Sequence, residues 1–223
     1  MPALSKVWEH TFKILFGRCL GRDPFHKEQY GFRRRRATLD ALNRVCGITE
    51  ACRKRGLVCV LIVLDIKNAF NTLSWRKILK VVRERQLPGH TLCDYLSERK
   101  IVAYCRDGLM WRTIYARVSQ GSILGPLLWN RVYDGLLRVL DQVKDLDVIA
   151  FADDLALVIA MPMKLILNID VGGTQITTIN SVKYLGVILD NARRFFLHLE
   201  QACDKAERFV GAIRSLLPNF NVS

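Results

Sequence analysis

The sequence predicts an α+β fold in which helices back an antiparallel sheet. Three observations carry this expectation. Apolar runs rich in β-branched residues at 57–64, 147–150 and 155–160 have the length and composition of buried strands. Between them lie stretches whose apolar residues repeat with the helical period. Strands and helices do not follow the regular βαβ alternation of a parallel sheet, and Asp107-Gly108, between the strand-like runs 100–106 and 109–116, is a strong hairpin signal.

Taken in order, residues 1–28 show helical spacing at Val7, Thr11, Ile14 and Leu15, with a break at Asp23-Pro24. Thr38 can cap a helix running to about Arg55, with Leu39, Leu42, Val45 and Cys46 on one face and Gly56 as its stop. After the strand 57–64, Ser74 can cap a helix carrying Trp75, Ile78, Leu79 and Val82, which Pro88-Gly89 would end. Leu92, Tyr95 and Leu96 suggest a short helix before the 100–116 hairpin. From Pro126 to about Asp141, Leu128, Val132, Leu136, Leu137 and Leu140 mark another, its proline near the first turn where a missing N–H costs least. The runs 165–169 and 175–179, the turn at 171–173, a strand at 182–189 and a helix from about Arg193 to Leu217 complete the chain.

The chemistry concentrates in Phe151-Ala152-Asp153-Asp154, set between two strand-like runs and so expected at a hairpin tip. Adjacent carboxylates repel one another unless a cation is present. A third acid, Asp65, ends the strand at 57–64. If the strands are neighbours, Asp65 faces Asp153 across a site for two hard cations with oxygen ligands, the arrangement polymerases use. Solvated aspartates in a surface turn would explain any one of these acids, but not the apolar strands around all three.

Val118-Ser-Gln-Gly-Ser-Ile-Leu-Gly-Pro126 lies between the acid motifs, and together the three motifs resemble the reverse transcriptase domain of non-LTR, LINE-type retrotransposons. Gln29-Tyr-Gly-Phe-Arg33 with Ala37-Thr-Leu-Asp-Ala41 is similar to the family's junction of fingers and palm, and Lys183-Tyr-Leu-Gly-Val-Ile-Leu-Asp190 to its primer grip. The resemblance implies a polymerase palm, RNA-directed DNA synthesis from dNTPs, Mg²⁺ or Mn²⁺ as cofactor, and an RNA template with a DNA primer as partners. It assigns metal binding and catalysis to Asp65, Asp153 and Asp154. Phe70 falls at the aromatic position that excludes a ribose 2′-hydroxyl, with an ordinary core aromatic as the alternative.

Gln120 and Gly121 are expected against the nascent base pair, although Ser119 stands where the family usually has proline. Arg33, Arg34, Arg35 and Arg36 are expected near template or triphosphate, with a solvated face or a localisation signal as the alternative. Lys183, Tyr184 and Gly186 would hold the primer terminus unless they are an ordinary strand end.

By this resemblance, residues 1–56 are partial fingers and the fingers–palm junction. Residues 57–192 are the palm with motifs A, B, C and the primer grip, shortened between C and E near 160–161. Residues 193–223 begin a thumb or form a C-terminal helix. Lys164 is the nearest candidate for the family's motif D lysine. These departures keep a second expectation open, a truncated, catalytically weak or inactive nucleic-acid-binding remnant. Another palm enzyme such as a nucleotide cyclase would share paired acids but not SQGSILGP or KYLG.

Charge and cysteines set the wider limits. The 223 residues carry a net charge of +13, which favours a polyanionic partner. No apolar run reaches the roughly 18 residues of a spanning helix, so the expectation is a soluble intracellular protein, nuclear or cytoplasmic, without membrane contact. Seven scattered cysteines without a CxxC pair argue against structural zinc and a disulfide framework, and read instead as small core residues. His10, His26, His90 and His198 read as surface or capping residues.

Overall fold

The computed structural model describes residues 3–20, 25–84, 87, 89–97, 99–106, 108–116, 121–162, 168–171, 173–191 and 195–216. It divides into two compact units, Met1–Pro162 and Met163–Ser223. The division falls inside the stretch expected to form one palm.

The first unit is built on three antiparallel strands in the order β1 (Leu57–Asp65), β5 (Asp154–Pro162) and β4 (Leu146–Phe151). Side-chain alternation splits the sheet into two apolar faces. Val148, Ala150, Leu155 and Leu157 lie on one, within the main hydrophobic cluster. Ile149, Ala156 and Val158 are buried on the other. Helix α2 (Thr38–Lys54) packs across all three strands and buries Ala41, Val45, Ile48 and Cys52. Leu39 is exposed, and Leu42 and Cys46 are half-buried, so the buried face is turned from the expected one. Ala37, not Thr38, is the residue before the first turn, and the Asp40 carboxylate accepts its N–H at 2.7 Å.

Helix α6 (Gly125–Leu140) crosses the cluster side of the sheet with Pro126 in its first turn. Leu128, Trp129, Tyr133 and Leu137 are buried, and so are Asn130, Arg131 and Asp134, while the expected Leu136 is exposed. Helix α4 (Trp75–Glu84) buries Trp75, Ile78 and Val82 as its period predicts. The short α3 (Ala69–Thr72) precedes it, and α5 (Gly89–Leu96), which begins at the glycine expected to stop α4, buries Leu92 and Leu96.

Helix α1 (Ala3–Leu20) corrects the sequence reading most clearly. Val7, Ile14 and Leu15 are exposed, whereas Glu9, Phe12 and Phe16 are buried. Burying aromatic area outweighs burying the aliphatic stripe. Trp8 stacks on Tyr95 at 4.1 Å between ring centroids and on Phe12 at 5.1 Å. His26 is also buried rather than superficial, its backbone N–H donating to the Asp134 carboxylate and its Nε2 lying 3.5 Å from Asp141.

The hairpin of β2 (Lys100–Cys105) and β3 (Gly108–Thr113) stands apart as its own two-stranded sheet. In the second unit, β6 (Asn168–Val171) pairs with β7 (Thr174–Thr177) and β8 (Ser181–Tyr184) with β9 (Val187–Asp190), followed by α7 (Phe196–Leu216). The single strand expected over 182–189 is therefore a hairpin. Leu185 and Gly186 have φ of 48° and 85°, the two left-handed residues of a type I′ turn, which favours glycine at the second position.

Among the described cysteines Cys52 is buried and Cys105 and Cys203 are exposed, so the reading as small core residues holds for Cys52 but not for the exposed pair. No described helix is long and apolar enough to cross a membrane.

Leu137, fully buried on the inner face of α6, tests this core. Leu137→Ala is expected to cost about 2–5 kcal/mol of unfolding free energy through lost burial and a residual cavity, measured by denaturant titration.

Candidate active site

Strand pairing brings two of the three acids together. Asp65 is the cross-strand partner of Asp154, so the two carboxylates project from the same face at neighbouring strand ends. The ladder partner of Asp65 is thus Asp154 rather than the expected Asp153. The reason is local: Phe151 pairs with Asp154, which leaves Ala152 and Asp153 as the two-residue turn of the β4–β5 hairpin. Ala152 has φ 58°, the sign that hairpin turns with right-handed twist require at their first position.

The acids sense one another. Partial burial, then the charges of Asp153 and Asp65, push the Asp154 carboxyl above its ordinary value. Tyr133 on α6 is raised in the same way, by burial first and then by Asp153 and Asp154. Its buried hydroxyl has no hydrogen-bond partner among the described residues. No group of three His, Cys, Asp or Glu side chains there forms a ready-made metal cage. The donor set nonetheless fits a hard divalent cation. Mg²⁺ is characteristically held by one or two carboxylates with substrate phosphates completing its shell, and a cation would relieve the repulsion that adds to burial in raising Asp154.

Residues outside the acid motif hold the turn. The Ala152 carbonyl accepts a hydrogen bond from Trp129 Nε1 at 2.9 Å and a longer one from Gln29 Nε2 at 3.5 Å. Gly31 lies so close that a Cβ there would come within 2.6 Å of Ala152 Cα. Asn130 Nδ2 donates to the Gly31 carbonyl at 2.9 Å, and the Gln29 side chain accepts from the Gly31 N–H at 2.9 Å. Residues 28–30 run beside β4, with Tyr30 N–H donating to Ala150 O at 2.7 Å and Ala150 N–H to Glu28 O at 2.9 Å. Arg44 of α2 ties this segment down through Glu28 at 3.2 Å and Asp147 at 3.5 Å.

Phe70 lies in α3, half-buried, with its ring 5.7 Å from both Phe32 and Trp129. It therefore adjoins the residue that holds the acid turn. Gly121 has φ 80°, while Gln120 lies outside the described residues, as does Lys164. The next residues are anchored by an acid that sequence reasoning missed. The buried Glu9 carboxylate accepts from Ile123 N–H at 2.6 Å, from Ser122 Oγ at 3.1 Å and from the Tyr95 hydroxyl.

The arginine run is not uniform. Arg33 Nη1 is committed to the carbonyls of His26 and Gln29, at 2.9 and 3.1 Å. Arg34 is exposed, and Arg36 lies over the Tyr30 ring at 4.6 Å. Arg35, Arg36 and Arg44 line an open hollow of about 480 Å³ with Tyr30, Asp40 and Asn43. In the second unit, Lys183 is exposed, Tyr184 is buried and Gly186 sits in the turn.

The chain belongs to the reverse transcriptase (RNA-dependent DNA polymerase) family, whose sequence pattern matches residues 5–177. Within that family it is similar to polymerases of non-LTR, LINE-type elements. It is 29% identical over 136 residues to the "Probable RNA-directed DNA polymerase from transposon X-element" of Drosophila melanogaster, covering 58% of this chain and 15% of that one. It is 30% identical over 106 residues to the Pol polyprotein of the type-1 retrotransposable element R2 of Nasonia vitripennis, covering 43% and 10%. The first relatives are thus matched over 10–22% of their length.

The fold is similar to telomerase from Candida albicans, with a TM-score of 0.56 at 11% identity over 84% of this chain and 38% of that one. Apo telomerase from Candida tropicalis gives 0.54 at 10% identity, over 81% and 43%. The α+β expectation and the palm-like sheet are borne out.

Two predictions come from this geometry. Gly31→Ala should displace the acid turn and cost about 1–3 kcal/mol of stability, because the added methyl meets backbone rather than a flexible side chain; thermal unfolding measures it. For Asp154, the raised folded-state value means that the folded chain retains the proton longer than the unfolded one. Stability contributed by this group is present below pH about 3.8 and is lost as pH rises through the folded value. Asp154→Asn should therefore raise the melting temperature at pH 7 without added metal, and the gain should vanish in the acidic range.

Proposed function

We infer that the chain carries the nucleotidyl-transfer centre of an RNA-directed DNA polymerase, adding dNTPs to a DNA primer on an RNA template. The observation that carries this reading is the pairing of Asp65 with Asp154 beside the turn that bears Asp153. Asp65 and Asp153 would be the main groups holding the divalent cations, with Asp154 as the supporting acid and Mg²⁺ or Mn²⁺ as the ion. When bound, such ions lower the pKa of the primer hydroxyl and neutralise the departing pyrophosphate. Trp129, Gln29 and Gly31 keep the turn in place, so the carboxylates need no rearrangement when charge develops.

The other assignments extend this centre. Phe70 would select against a ribose 2′-hydroxyl from its place between Phe32 and Trp129. Gln120 and Gly121 would contact the nascent base pair. Arg34, Arg35 and Arg36 would meet template or triphosphate phosphates, whereas Arg33 serves the loop's own backbone. Lys183, Tyr184 and Gly186 would hold the primer terminus. Residues 1–56 would contribute part of the fingers, and residues 193–223 would begin the thumb.

One observation favours a catalytically weak remnant as the second reading. Two hairpins follow β5, and no helix lies among the described residues between Pro162 and Phe196. Palm support and the family's proton-donating lysine would then be reduced. Primer extension on an RNA template with Mg²⁺ or Mn²⁺ separates the two readings. Feeble extension is expected, since loss of a general acid typically costs about 10² to 10⁴ in rate, and Asp153→Asn should abolish it. Extension that survives Asp153→Asn would sink the site assignment. Robust processive synthesis by this chain alone would remove the second reading.

A further inference from the structure

The β2–β3 hairpin exposes side chains that a two-stranded ribbon would ordinarily bury against something. Tyr104 is 89% exposed, Trp111 61% and Tyr115, just past the second strand, 77%. Register places Trp111 opposite Val102 and Leu109 opposite Tyr104, so Lys100, Tyr104 and Trp111 share one face and the two aromatic residues are diagonal neighbours. Lys100 Nζ lies 4.4 Å from the centre of the Trp111 ring.

Charge on this element is one-sided. Arg99, Lys100, Arg106 and Arg112 stand in and beside the ribbon, and Asp107 is the sole acid between residues 99 and 116. The base of the ribbon is fixed to the start of α4 by the Ser74–Ala116 bridge and by Trp75 N–H donating to Tyr115 O at 3.2 Å. There Tyr115 lines a hollow of about 640 Å³ with Arg76, Lys80, Arg83 and Glu84 of α4, three cations to one acid, with Lys80 Nζ 3.7 Å from the Glu84 carboxylate.

Exposed aromatic rings diagonally spaced on a ribbon, with Lys100 beside Trp111 on the same face, have the chemistry of a platform for unpaired bases. Rings stack on base faces while lysine and arginine meet the phosphates that link them. A fully paired duplex offers no free base faces to such a platform. We propose that the Lys100–Tyr104–Trp111 face of the β2–β3 hairpin is a binding surface for single-stranded nucleic acid, continued at its base by Tyr115 and the basic side of α4. This rests on the polymerase reading for its biological setting, but its chemistry does not involve the aspartates.

The test follows tryptophan fluorescence of the whole chain during titration with single strands of about 12 nucleotides, as RNA and as DNA, and with a blunt duplex of equal length. Trp8 is half-buried, and Trp75 and Trp129 are buried, so Trp111 is the exposed reporter. Single strands should quench it and the duplex should not; the RNA and DNA arms show which strand is preferred. Variants are compared by fluorescence anisotropy of end-labelled strands, since the Trp111 variants lack the reporter: Trp111→Ala and Tyr104→Ala should each weaken single-strand binding by about 5- to 150-fold while sparing duplex binding, and Trp111→Phe should retain most of it. Lys100→Ala should reduce the salt slope by about 0.7.

Equal losses for duplex and single strand, or no loss at all, would overturn the proposal. So would unchanged binding accompanied by loss of a dimer in sedimentation, which would make the face a contact between copies. Asp153→Asn should leave the quenching intact, so failure of the polymerase reading and failure of this surface are distinguishable.

Discussion

Repulsion between carboxylates is the constraint around which the first unit is arranged. Asp153 and Asp154 are neighbours in sequence, and Asp65 is brought beside Asp154 by strand pairing. The hairpin ladder and the pairing with β1 hold them at this spacing. Further restraint comes from outside the strands: an indole N–H and a glutamine amide on the Ala152 carbonyl, and a backbone without a side chain pressed against the turn. Each of these groups sits on an element that must itself be fixed. That accounts for Asn130 buried on α6 and for Arg44 spanning Glu28 and Asp147.

Much of this arrangement was legible in the chain. Two-residue turns, apolar runs of strand length and the i, i+3, i+7 stripe of α4 are local signals, and they located the sheet, the acid hairpin and most helices. The side of each helix that is buried was less legible. On α1 the aliphatic stripe lost to Trp8, Phe12 and Phe16 because aromatic stacking on Tyr95 depends on a residue far along the chain. The same holds for Glu9, to which no sequence signal assigned a role. Its partners, Ser122 and Ile123, are more than a hundred residues away, and no spacing rule connects them.

The arginine run shows how one composition can divide its work. Arg33 spends its hydrogen bonds on carbonyls of its own loop, which shapes the segment that carries Gly31. Its neighbours remain available to solvent or to phosphates. A charge count treats the four as equal, whereas the carbonyls of His26 and Gln29 in an irregular loop select one of them as a structural tie. The net charge of +13 is accordingly an upper measure of what this surface offers a polyanion.

The order β1-β5-β4 also sets an order of difficulty for assembly. The β4–β5 hairpin closes across two residues and can form within its own stretch of chain. Pairing of Asp65 with Asp154 closes a loop of 154 − 65 = 89 residues, and the entropy lost grows with that length. Two of the three acids are thus a local product of the sequence, and the third depends on the most distant strand pairing in the sheet. Collapsed states that contain only the hairpin hold two aspartates without the third, so the cluster is complete only in molecules that have finished folding.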